Sequence, residues 1–318
     1  MAPVARIKMR KRKAMAGWPS PVVKRIIENR WLLLMILPAV IIQLAFAYVP
    51  MAGMSLAFRN ISELTLPLGT KWVGFANFHF VTDPYFWETV RNTIVIAGVK
   101  LIFIFPAPIA LALLLNEIKN QYFKKFVQTV SYLPHFISWV IIVNILDRML
   151  NINTGLVNEI LSFFGKSPIH FRGEVGWFLP IVVLSQLWKE IGFSSIIYLA
   201  AITQINPELY EAAKVDGAGR LMQARHVTFP GIYPIISMLL ILAIPNLINA
   251  GFDQIYLLSN PMNLHVSEIL DTYILRTGLS YGNFAKAAAI GICNSIVALI
   301  LVIIANKGSG KIGGSTIW

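Results

Sequence analysis

Charge is what this sequence has least of. Only 13% of its 318 residues are Asp, Glu, Lys or Arg, against 56% hydrophobic. An ordinary soluble domain carries about twice that share of charge, so a water-facing globular fold is excluded and an integral membrane protein is expected. Cysteine is nearly absent as well. Cys293 stands alone in an apolar run, which leaves no disulfide framework and no thiolate metal cluster. The five histidines are scattered, with no HExxH pair, and neither a nucleophile elbow nor paired carboxylates appear, so no catalytic or metal residues are assigned. GSGKIGG around Lys311 resembles a phosphate loop only in part. It has Ala305 where a Walker A loop needs its first glycine and Ile312 where it needs Ser or Thr. The chain is therefore not expected to bind ATP, and a partner must supply any hydrolysis.

Acidic residues are also scarce, 15 against 27 basic ones. Such an excess suits nucleic acid, yet nine of the basic residues precede Trp31. That clustering fits a cytoplasmic arm on a membrane surface, and no nucleic-acid partner is expected.

Long apolar runs are what the sequence does have. A crossing helix needs about 20 apolar residues, and six segments qualify: about 31–58, 92–115, 126–146, 177–203, 231–258 and 284–305. An all-α membrane protein of six helices is expected. Residues 1–30 form a basic arm, 31–306 the membrane domain and 307–318 a tail. Segments on the side of the N-terminus hold 17 Lys and Arg, while the opposite loops hold seven in a similar length. Both termini and the 206–230 loop are thus expected in the cytoplasm.

That loop, NPELYEAAKVDGAGRLMQARHVTFP, has the strongest local order. Asn206 suits an N-cap, Pro207 the first helical position and Glu208 the positive end of the helix dipole. Ala212 and Ala213 leave a smooth strip that a partner can approach closely. Asp216 and Gly217 end the helix, glycine being tolerant of the left-handed conformation a C-cap needs.

Ionisable groups in lipid are expensive and face the bundle interior. Lys100, Asp147, Lys189, Glu190 and Asp253 are the candidates, together with Trp188, Asn246, Asn249 and Gln254. Amides, an acid and an indole suit a sugar, whose hydroxyls want hydrogen bonds and whose ring stacks on aromatics. Contacts between helices or with a partner subunit are the competing reading.

Glu211, Ala212, Ala213, Gly217, Val227, Phe229 and Pro230 together resemble the EAA motif of permease subunits in binding-protein-dependent ABC importers. Isoleucine and leucine usually stand where this chain has Val227 and Phe229. GFANF, DPYFW, FPAPIALALLLNE, QTVSYLPHFISWV and WKEIGFSSIIYLAAI are similar to the sugar-permease family, in its branch for polysaccharide-derived oligosaccharides. The resemblance implies a type I permease core in the bacterial cytoplasmic membrane, with Glu211, Ala212, Ala213, Asp216, Gly217 and Pro230 in a coupling loop. It also implies a second permease as heterodimer partner, two ATPase subunits binding ATP and magnesium, and an extracytoplasmic solute-binding protein. The cargo would be an oligosaccharide, acidic if Lys100 and Lys189 meet it, as in alginate or pectin fragments. An ion-gradient sugar carrier is the alternative.

Overall fold

The structure is a computed structural model describing residues 28–60, 71–248 and 250–311, without the side chains of 245–248 and 309–311. Most of the basic arm and the end of the tail, including Ile312, lie outside it. No strand occurs among the described residues. A single antiparallel bridge pairs Arg59 with Trp72.

The chain divides into two units, 1–54 and 55–318. In the first, α1 (Arg30–Gln43) continues through a π-helical turn, Leu44–Tyr48, and a short turn, Val49–Met51. Pro38 lies inside α1, and Pro50 opens the short turn. Leucine, isoleucine, valine and methionine surround the α1 axis, the pattern of a helix dissolved in lipid rather than on its surface.

The second unit begins with an aromatic cap. Phe58 stacks on Trp72 at 5.3 Å, and Asn77 Nδ2 donates to the carbonyls of Ala57 and Arg59, fixing the turn before the next helix. Asp83 then accepts from the Tyr85 amide at 3.0 Å and Pro84 takes the first helical position, starting α2 (Pro84–Ile104). Two prolines, Pro106 and Pro108, mark the junction with α3 (Pro106–Glu117) without stopping it, so Pro84–Glu117 is one run of 34 residues, about 50 Å long. The second expected crossing is thus longer than its apolar stretch, because capping by Asp83 extends it into the aromatic region.

The third expected crossing is broken. α4 (Gln121–Tyr132) passes through the turn Leu133–Phe136, and α5 (Trp139–Met149) leaves at 100° to it after Ser138 recaps the backbone. α6 (Leu156–Phe163) follows as a short amphipathic helix in the 147–176 segment. α7 (Phe178–Ile202) is continuous over 25 residues.

α8 (Pro207–Val215) and α9 (Arg220–Gln223) fill the polar loop, and a π-helical turn, Ala224–Thr228, joins α9 to α10 (Phe229–Ile248). The fifth expected crossing also breaks. The chain turns at 250–251 with Ala250 and Gly251 at positive φ, then resumes as α11 (Phe252–Leu258). α12 (Leu264–Ser267) and α13 (Leu270–Leu275) lead to α14 (Phe284–Lys311), which runs past the expected boundary at 306.

Four runs are long and apolar enough to cross a bilayer: Arg30–Phe58, Pro84–Glu117, Arg220–Ile244 and Phe284–Gly308. The bent pair Gln121–Phe136 and Trp139–Met149 makes a fifth if it is one crossing. α7 is not among them, for it carries Gln186, Lys189 and Glu190 in its middle. One core cluster, including Ile96, Val143, Val182 and Ile255, joins α2, α5, α7 and α11 around the second break. In a bilayer such side chains hold helices together by close packing rather than by transfer out of water.

Candidate functional site

Two places gather the residues singled out by the sequence. The first is the polar loop. Asn206 Oδ1 accepts from the Glu208 amide at 3.1 Å, and its amide group donates back to Glu208 Oε2 at 3.0 Å. At the other end Gly217 takes φ +78°, while the Gly217 and Ala218 amides reach back to the carbonyls of Lys214 and Ala213. This doubly closed terminus satisfies carbonyls that would otherwise be orphaned. The Tyr210 hydroxyl meets Thr228 Oγ1 at 3.0 Å and ties α8 to the turn leading into α10. Glu211, Ala212, Asp216, Gly217 and Pro230 are exposed and Ala213 is half-buried. Leu209, Val215 and Leu221 also face outward. The surface is short, capped at both ends and apolar in patches.

The second place is a cavity of about 810 Å³ between α2, α3, α7, α10 and the break at 250–251. Ala97, Leu101, Ile104, Phe193 and Ile197 give it apolar walls, and Lys100, His135, Gln186, Glu190 and Ser194 bring polar atoms to them. That size and mix suit an organic ligand rather than an ion.

Lys100 is buried, and its Nζ donates to the Ala250 carbonyl at 2.6 Å and to Gln254 Oε1 at 2.7 Å. Gln254 is held in turn, its Nε2 donating to the Val182 carbonyl and Ser185 Oγ at 2.8 Å each. Gly251 adopts φ +82°, and a Cβ there would lie 2.6 Å from Lys100 Nζ. Only a residue without a side chain leaves the ammonium uncovered. Among the described residues no carboxylate pairs with Lys100. Gln186 Oε1 is buried nearby without a hydrogen-bond partner among the described residues.

Lys189 is also buried, but on the far side of the wall. Its Nζ donates to the carbonyls of His135 and Ile137 at 2.6 Å each and lies 5.7 Å from the centre of the Trp139 ring. It closes the break in the third crossing. Glu190 faces the cavity, its Oε2 2.9 Å from His135 Nδ1, while the His135 ring stacks on Phe193 at 3.8 Å.

Of the sequence candidates, Glu190 and Lys100 therefore line the cavity, and Gln254 stands behind Lys100. Lys189 lies off its wall. Trp188 and Asp253 are exposed and do not line it. Asp147 pairs with Arg172 at 3.1 Å. Asn249 lies outside the described residues, as does the Asn246 side chain. Sequence reasoning did not single out Gln186, Ser194 or Gly251.

A helical membrane bundle with a large cavity and an exposed, capped polar loop has the form of a transport subunit. Residues 104–307 match the family described as binding-protein-dependent transport system inner membrane component, and the chain belongs to that family. It is 46% identical to the Bacillus subtilis polygalacturonan/rhamnogalacturonan transport system permease protein YteP over 295 residues, 92% of each chain. Protein LplB of the same organism is 39% identical over 88% of each chain. A crystal structure of a bacterial ABC transporter involved in import of the acidic polysaccharide alginate contains a chain of TM-score 0.86 and 40% identity, covering 92% of this chain and 99% of that one. A second structure of the alginate transporter, in complex with alginate pentasaccharide-bound periplasmic protein, gives TM-score 0.85 and 39% identity, covering 92% and 98%. The chain is thus the permease component of such a system, not its ATPase, and the ion-gradient alternative is not favoured.

Proposed function

We propose that this chain and a second permease form the membrane path of an ATP-driven importer for acidic oligosaccharides. Cargo arrives on an extracytoplasmic binding protein, and two ATPase subunits holding ATP and magnesium supply the energy. In this reading six crossings place both termini in the cytoplasm, and α8 couples ATPase closure to opening and closing of the cavity. Its caps support that role: a helix closed at both ends passes a displacement to Thr228 and α10 instead of fraying.

The observation that carries the charge of the cargo is Lys100, a buried ammonium on the cavity wall with no carboxylate partner among the described residues. A uronate can supply that partner, as a neutral sugar cannot. The pectin- and alginate-related names of the relatives support the same class. Lys189 adds nothing to this argument, since backbone carbonyls occupy it.

Reconstitution of the whole complex in proteoliposomes tests the reading. Loaded binding protein should stimulate ATP hydrolysis and drive uptake of galacturonate or mannuronate oligomers over neutral oligomers of equal length. Glu211→Lys should leave assembly intact and uncouple hydrolysis from uptake. Equal uptake of neutral and acidic oligomers would remove the charge assignment, and normal transport by Glu211→Lys would remove the coupling role of α8.

A further inference from the structure

The proposed transport path leaves a second cavity unused. It measures about 390 Å³ and lies where α2 and α14 begin, at the end of the bundle away from α8. Tyr85, Tyr273 and Tyr281 supply three rings to it, and Asp83, Thr277, Asn283 and Lys286 supply polar groups. Its volume falls in the range of about 300–1,000 Å³ usual for small-molecule sites.

The lining is built rather than incidental. The Tyr85 hydroxyl donates to Glu268, a buried carboxylate also held by Arg276 at 3.0 Å. Burial pushes the Glu268 carboxyl up and the Arg276 guanidinium pulls it back. Tyr85 is therefore fixed as a ring, meeting Tyr273 edge-to-face at 5.7 Å. Lys286 Nζ lies 5.4 Å from the centre of the Tyr273 ring and 3.7 Å from Asp83 Oδ2, so the two charges at the rim balance. Asn283 Oδ1 accepts from the Lys286 amide, leaving its NH2 group for the cavity. Tyr281 stands open at the edge, 70% exposed. Thr277 Oγ1 is buried with no hydrogen-bond partner among the described residues.

An orphaned hydroxyl at such depth is costly unless something else bonds it. Balanced charge argues against a lone ion. Ring faces beside a hydroxyl, an amide and a carboxylate suit a pyranose, whose apolar face stacks and whose hydroxyls both donate and accept. We infer that this cavity is a second saccharide site, holding one pyranose unit at the mouth of the path, with Thr277 and Asn283 bonding its hydroxyls and Tyr281 stacking on its ring. The inference rests on the reading of the cargo as an oligosaccharide.

The test uses the complete permease–ATPase complex in lipid nanodiscs without binding protein, probed with galacturonate and galactose trimers by saturation-transfer NMR. Both trimers should bind the native complex, about tenfold more weakly after Tyr281→Ala or Thr277→Val. Thr277→Ser should bind like the native chain, and all three variants should co-purify with the ATPase subunits and unfold thermally at the native temperature. Native assembly and unfolding show that the variants fold. Absence of binding to a native complex that imports, or native-like binding by Tyr281→Ala and Thr277→Val, overturns the site and leaves the cargo reading standing. A native complex that imports no saccharide overturns both. If Tyr281→Ala instead weakens association of the sugar-free binding protein, the cavity is a protein contact and the inference fails.

Discussion

Lys189 and Lys100 each stand where a helix stops inside the bundle, and each ammonium takes carbonyls at the C-terminal end of the interrupted helix, where the dipole favours a cation. Beyond that likeness they diverge. Lys189 spends two donors on the carbonyls of His135 and Ile137 with the Trp139 ring nearby, and it is sealed from the cavity. Lys100 shares one carbonyl and one amide oxygen, and Gly251 leaves it open to the cavity. A charge within a span marks a broken helix first. It marks a ligand path only where the neighbouring backbone leaves the charge uncovered.

Substituting methionine at each position should separate these roles. Lys189→Met strands two buried carbonyl oxygens, at about 1–3 kcal/mol each. The reconstituted complex should lose several degrees in thermal unfolding followed by scanning fluorimetry, with the ratio of acidic to neutral uptake unchanged. Lys189→Arg should recover part of the loss.

Lys100→Met should show its distinct effect in transport. It strands two oxygens as well, those of Ala250 and Gln254, so a loss of stability similar to that of Lys189→Met is expected and the difference lies in transport. The KM for acidic oligomers should rise about tenfold, while that for neutral ones stays within about twofold. Equal changes for both cargoes would reduce Lys100 to the role of Lys189.

Two glycines sharpen the contrast further. Gly217 and Gly251 have nearly the same φ, yet a Cβ at Gly217 meets nothing within 4 Å whereas one at Gly251 meets Lys100 Nζ. Gly217→Ala should cost only left-handed strain, about 1–2 kcal/mol. Gly251→Ala should cost that and also raise the KM for acidic oligomers, because the methyl displaces the ammonium. A KM change confined to Gly217→Ala would contradict the placement of Lys100.

The loop from Asn206 to Gly217 is legible in the sequence because each determinant lies within a few residues of what it controls: the cap, the proline at the first turn, the glycine after the last. Neither break is legible in that way. The carbonyls that hold Lys189 lie 54 and 52 residues away, and the carbonyl that holds Lys100 lies 150 away. Hydropathy sees the fifth expected crossing as one run through 231–258, since Ala250 and Gly251 at the turn are too small to interrupt the apolar residues on either side. Lys189 beside Trp188 suggests a sugar contact in one dimension, but helical geometry turns the lysine inward and the indole outward.

The placement of Lys189 also bears on how the chain enters the bilayer. A lysine at the centre of an inserting helix costs about 2.5–3.5 kcal/mol, and α7 carries Glu190 next to it. The groups that accept both side chains, the His135 and Ile137 carbonyls and the His135 ring, belong to the preceding crossing, which is synthesised first. In the folded chain the polar middle of α7 is therefore satisfied by a segment synthesised before it, so its place in the bundle draws on that packing as well as on its own hydropathy.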